Sequence, residues 1–271
     1  MKLKEYAEMG IPLHNLFVVD AHGHLGCGCD FLIPYQNLHM QFEHYRETMR
    51  NLSVDYYCVS LLDAILGQIE ANKTLLDLMN QDDKLLGWIA YSPYEPQKSL
   101  DIIDACLSSN PRCVGIKIHP DWNKCPVNSP RFRPLFEYAN AKQTRILSHT
   151  WSGSIYDDPS MFVEIAENYK SVKILLGHSG AKEPGISSAI ALANKYEQIY
   201  LDLTGSFIFS GIFLEDFVAR SDNQKLLFSS DTVFNDINWE IGNILYARIP
   251  DHIKLGVLGL NAKQFFDLGI A

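Results

Sequence analysis

Short runs of apolar residues alternate along this chain with longer stretches in which apolar positions recur every three or four residues. The short runs lie near 16–21, 54–61, 84–91, 112–118, 144–149, 172–177, 198–203 and 225–230. A run that is apolar throughout, rather than at every second position, reads as a parallel strand covered on both faces. The stretches between them are helical in pattern. Gln68 to Asn80 sets Ile69, Leu75, Leu76 and Met79 at helical spacing, and Ser99 to Ser108 does so with Leu100, Ile103 and Leu107. Pro159 to Tyr169 opens on proline, which suits a first helical turn because its missing N–H is not needed there. Two more helical stretches, Trp239 to Arg248 and Lys254 to Leu268, follow the last run. Strands and helices in that alternation predict an α/β fold, the (β/α)8 TIM barrel, as a single domain over residues 1–271.

Four of the runs end on residues that bind metals. Val18, Val19 and Asp20 lead into Ala21-His22-Gly23-His24, and Ile146-Leu147-Ser148 leads into His149. Ile174-Leu175-Leu176-Gly177 leads into His178, and Leu227-Phe228-Ser229-Ser230 into Asp231. The strands of a parallel barrel point their C-terminal ends at one mouth, so these ligands converge there. His22 and His24 stand two apart and share a face of their strand. Taken singly, each has a plain structural reading: a loop histidine, a core histidine bonded to backbone, or, for Asp231, a helix N-cap. Four strand ends of one chemistry favour a shared cation with N and O ligands. The fourth run adds Lys117 and His119, again two apart. An inward lysine is costly unless it is paired or modified. It could meet a substrate carboxylate, carry a carbamate that bridges two metals, or sit in an ordinary ion pair.

Charge and cysteine content narrow the class. With 23 Lys plus Arg against 32 Asp plus Glu the net charge is −9, and no basic run occurs, which argues against nucleic acid or an anionic membrane as partner. The first residues lack the apolar core of a signal peptide, and no stretch is long and apolar enough to span a bilayer. The six cysteines show no disulfide framework, so reduced thiols and a cytoplasmic location are expected. Cys27 and Cys29 follow His24 but have no second pair at finger spacing. Trp122 and Trp151 follow ligand-bearing strands and are candidates to line a pocket, or to pack between loops. His14, His39, His44 and His252 read as surface or loop residues, and Tyr35, in the first βα loop or the helix after it, has no fixed role.

The segments around His22, His24, His149, His178 and Asp231 resemble the amidohydrolase superfamily. The ending Gly259-Leu260-Asn261-Ala262-Lys263-Gln264-Phe265-Phe266 is similar to the tail of its amidohydrolase-related branch. The resemblance spans residues 16 to 268. It implies a (β/α)8 barrel holding one or two divalent ions, with zinc expected and one ion favoured. It assigns metal binding to His22, His24, His149 and Asp231, and gives His178 either a second metal or the orienting of water and substrate. Lys117 matches a position that is a carbamylated bridging ligand in some members.

The expected activity is metal-dependent hydrolysis of an amide, ester or lactone bond in a small molecule. The ion lowers the pKa of its water toward ~7, Asp231 accepts the proton, and His178 helps hold the oxyanion. His119, Trp151 and Arg131 are candidate substrate contacts, the first and last favouring a carboxylate. Two alternatives stand beside this: a decarboxylase of a small carboxylic acid with the same ligands, and a barrel kept only for binding. Homo-oligomerisation is left open.

Overall fold

The structure, a computed structural model, describes residues 2–27, 37–205 and 213–269. Cys29 and Tyr35 lie outside them. Eight parallel strands follow one another around a single sheet in chain order. They are β1 (Val19–Leu25), β2 (Tyr56–Leu61), β3 (Leu85–Ala90), β4 (Cys113–Ile118), β5 (Arg145–His149), β6 (Lys173–Gly177), β7 (Ile199–Asp202) and β8 (Leu226–Leu227). Helices fill the intervals, among them Leu38–Leu52, Ala71–Met79, Pro96–Ser109, Arg133–Lys142, Gly185–Lys195 and Ile237–Tyr246. The chain is a single-domain (β/α)8 barrel.

Two apolar clusters hold it together. Val19, Ala21, Cys58, Leu86, Trp88, Val114, Leu147, Leu175 and Leu227 form one of them with Phe265 and Phe266. Trp88 satisfies its indole N–H there on the carbonyl of Ala21 at 2.9 Å. The other cluster joins the remaining strand residues to the surrounding helices through Leu75, Ile103, Phe136, Phe162 and Ile186, among others. Each fully buried side chain of this size is worth about 1.5–3 kcal/mol over its exposed state.

Closure between β8 and β1 departs from a regular ladder. Ala21 N–H donates to Phe228 O at 3.0 Å and Asp231 N–H to His22 O at 2.8 Å, while Phe228 N–H turns away to Val257 O at 3.0 Å. The run at 225–230 is therefore strand over only Leu226–Leu227. The C-terminal helical stretch continues from Asp251–Leu255 through a π-helical Gly256–Leu260 into Asn261–Phe266, with helical backbone angles at each junction. The tail residues sit at this widened turn. A Cβ on Gly259 would collide with the backbone carbonyl of Phe17. Asn261 donates its amide to the carbonyl of Asn223 at 2.7 Å, in the turn before β8, and to that of Leu226 at 2.8 Å, at the start of β8.

Candidate active site

β1 carries the first two ligands of the candidate site. Its register against β2 slips between Asp20 and Gly23, a local irregularity that re-aims the residues after it. Gly23, between the two histidines, is packed so tightly that an added Cβ would lie 2.6 Å from Tyr45 Oη and 3.2 Å from Cys58 O. Tyr45 in turn donates to Asp20 Oδ2 at 3.0 Å, and Ser230 N–H to Asp20 Oδ1 at 2.9 Å. This buried carboxyl, pushed up to about 6 by its burial, ties β1 to the segment that ends in Asp231.

At the mouth, His22 Nε2 and His24 Nε2 are 3.0 Å apart. Asp231 Oδ1 lies 3.7 Å from the first and 3.3 Å from the second. An ion about 2.0–2.2 Å from each atom needs donors roughly 3.0–3.4 Å apart, so these three nearly outline one face of a coordination polyhedron. The other ring nitrogens are taken: His22 Nδ1 is 2.6 Å from Asp202 Oδ2, and His24 Nδ1 is 3.0 Å from Ser60 Oγ. Such partners fix a ring so that its remaining nitrogen faces a metal. Burial, followed by the charges of Lys117 and the neighbouring histidines, holds His22 well below its ordinary pKa, and burial also lowers His24. Both rings are thus neutral, as ligands must be. Burial tends to raise Asp231, but its contact with His24 and the basic groups around it, Lys117 among them, outweigh that and keep its pKa low. The donor set fits a divalent cation.

Lys117 reaches into the same place. Its Nζ is 2.8 Å from His22 Nε2, and burial draws its pKa down to about 8 against the pull of Asp231, Asp202 and Asp157. His178 follows β6 with a left-handed backbone (φ 61) that turns its ring inward. The ring centroid lies 5.3 Å from that of His22 and 5.0 Å from that of His149. Nδ1 of His178 faces Thr204 O at 3.3 Å, and burial lowers its pKa to about 3.

His149 groups differently from the first three. Its ligand atom lies with those of His119 and Asp157, whereas His22, His24 and Asp231 form the other cluster among the described residues. His149 Nδ1 is bonded to Asp157 Oδ2 at 2.7 Å, which leaves Nε2 for any ion or substrate. A cavity of about 380 Å³ joins these groups, lined by His24, Lys117, His119, Trp122, His149, Trp151, His178 and Asp231, together with Phe234 and Asn235. Trp122 and Trp151 both reach it. Arg131 does not line it; its guanidinium lies over the Tyr94 ring at 5.1 Å. Two carboxylates went unnoticed in the sequence. Asp202 ends the seventh run and could have been found by the rule that found His149. Asp157 sits in the loop after β5 and has no periodic signal.

The sequence profile of the amidohydrolase family (Amidohydro_2) matches residues 19–268, and the chain belongs to that family. No curated protein matches it significantly in sequence. Among solved structures, it is similar to 2,6-dihydroxybenzoate decarboxylase from Rhizobium, at a TM-score of 0.72 and 15% identity over 93% of this chain and 99% of that one. It is also similar to 5-carboxyvanillate decarboxylase from Novosphingobium aromaticivorans, complexed with manganese and 4-hydroxy-3-methoxy-5-nitrobenzoic acid. That match has a TM-score of 0.72 and 13% identity over 94% of this chain and 97% of that one. A third is a probable 2-pyrone-4,6-dicarboxylic acid hydrolase from Acinetobacter baumannii, at 0.69 and 13% over 93% and 99%. At these identities the likeness concerns the fold. No described helix is long and apolar enough to cross a membrane.

Proposed function

We propose that this protein is a metal-dependent decarboxylase of a small, flat carboxylic acid. The observation that carries this is the pairing, in one cavity, of Lys117 and a candidate cation site with a wall of parallel rings. The candidate cation site is the His22, His24 and Asp231 triad. On the wall, Trp122 and His119 stack at 4.1 Å with planes 4° apart, and His149 and Trp151 differ by 4°. The similar structures whose names carry decarboxylase support the choice, since those enzymes are named for flat aromatic acids. Hydrolysis, the activity expected from sequence, becomes the second reading, supported by the pyrone dicarboxylic acid hydrolase.

When bound, a divalent ion supplies a Lewis acid that grips substrate oxygens. Two neutral imidazole nitrogens and one carboxylate oxygen suit zinc or manganese. Lys117 pairs with the carboxylate that is lost. Asp231, still 13% exposed at its side chain, takes a proton from solvent water at the cavity mouth and gives it to the ring carbon, whose bond to the carboxylate breaks as carbon dioxide leaves. The wall holds the acid in one plane and excludes water from the reacting carbon. His178, kept neutral, orients the substrate. The test is to offer the manganese- or zinc-loaded protein a panel of hydroxybenzoic acids and follow carbon dioxide release and ring absorbance. Turnover of one or more acids supports the reading. Inert acids together with hydrolysed lactones or esters would restore the hydrolase.

A further inference from the structure

His119 and His149 stand face to face, with ring centroids 3.9 Å apart and planes 13° apart. Trp122 stacks on His119 at 4.1 Å. Two rings cannot share one face at such spacings, so Trp122 covers the opposite face and only the edge of His119 is open. The backbone N–H of Trp122 donates to His119 Nδ1 at 3.3 Å. A nitrogen that accepts a hydrogen bond carries no proton, so the proton of this ring sits on Nε2. His149 is fixed the other way. Fully buried Asp157 accepts its Nδ1–H at 2.7 Å, and the same carboxylate oxygen accepts the backbone N–H of Asp121 at 3.3 Å. The neutral His149 ring, with its proton on Nδ1, presents a bare Nε2. Two stacked imidazoles of one cavity thus carry opposite tautomers, one set by the β4 loop and the other by the β5 loop.

We propose that His119 is a specificity-determining residue: its Nε2–H is a neutral donor that selects a substrate with an anionic oxygen, while Asp157 is the positioning residue that gives His149 the opposite tautomer. The substrate class rests on the decarboxylase reading; the tautomer pair does not. His119 cannot serve as an acceptor at Nε2 without losing the Trp122 bond. A ligand that offers an N–H at this point meets a second donor and is rejected. A carboxylate oxygen meets a charge-assisted hydrogen bond, with a net worth that corresponds to about ten- to a hundredfold in affinity.

The test uses the zinc-loaded full chain, labelled with ¹⁵N at histidine, and benzoate as probe. Long-range ¹H–¹⁵N spectra are expected to show His119 protonated at Nε2 and His149 at Nδ1. In Asp157→Ala the His149 proton should move toward Nε2 while His119 stays as it was. Benzoate should bind His119→Gln, which keeps an N–H near the Nε2 position, within a few-fold of the wild type. His119→Leu should bind it about ten- to a hundredfold more weakly. A His119 protonated at Nδ1, or equal benzoate affinity in His119→Leu and the wild type, overturns the inference and leaves the decarboxylase reading standing. If no form binds benzoate, the flat-acid reading fails and carboxylate selection fails with it; the spectra then decide the tautomer pair alone.

Discussion

Asp202 accepts the Nδ1–H of His22 at 2.6 Å, with both side chains fully buried. The same carboxylate takes the backbone N–H of His178 and of Thr204, each at 3.1 Å. Burial pushes Asp202 up to about 7, and these donors pull it back toward the ionised form. One carboxylate therefore orients two site histidines, the ring of His22 and the backbone of His178. Asp202→Asn is expected to lower affinity for a divalent ion about 10–100-fold, because an amide can turn its NH₂ toward His22 and reverse the tautomer. Titration against a competing chelator reads this directly, and wild-type affinity would remove Asp202 from the account.

Gly23 tests the packing behind the same strand. Gly23→Ala forces a methyl group against Tyr45 Oη, and the overpacking should cost about 1–3 kcal/mol in urea unfolding. Adding Tyr45→Phe removes the clashing oxygen and should return part of the loss. The close carbonyl of Cys58 remains, so full recovery is not expected. A stable Gly23→Ala protein would show that the strand relaxes more easily than its contacts imply.

Much of this architecture was legible because its cause is local. Strands covered on both faces are apolar throughout, and the eight runs stand out without long-range information. Their ends marked His22, His24, His149, His178 and Asp231, since a parallel barrel turns every such end to one mouth. What escaped the sequence has non-local causes. The eighth strand is short because Val257 and Asp20 capture backbone donors that would extend it. The final helix widens into a π-helical turn where Gly259 meets Phe17, residues far apart in the chain. The loop carboxylate of Asp157 reveals itself only through its contact with His149. Arg131 looked like a carboxylate anchor by residue type, but it packs on Tyr94 instead. Hydrolysis and decarboxylation draw on the same ligands, so the strand-end residues alone do not choose between them.

The alkaline limb of activity should belong to Lys117. Its burial lowers the pKa to about 8, so the ammonium that binds a carboxylate is present below that value and lost above it. A bound divalent ion disfavours the ammonium further. Hence kcat/KM for an acid substrate should fall with an apparent pKa at or below about 8 and approach a tenfold loss per pH unit. His178, near 3, and the low-lying Asp231 are already in their working states well below neutrality, so no acid limb from them is expected between pH 5 and 7. Lys117→Met should bind acids poorly and lose the limb; an unchanged limb would assign it to another group.

Asp231→Asn should keep the fold and lose about 10²–10⁴-fold in kcat, because an amide of similar shape cannot carry the proton. Circular dichroism checks the fold and a single-turnover assay checks the loss. Wild-type turnover in this variant would reject its acid–base role.

The central claim is a cation held by His22, His24 and Asp231. Metal analysis of the natively purified protein, set against a His22→Ala/His24→Ala double variant whose fold is verified by circular dichroism, tests it most directly. The account predicts about one equivalent of divalent ion in the wild type, held at the His22, His24 and Asp231 face, and almost none in the variant. Equal metal content in the two proteins would contradict it.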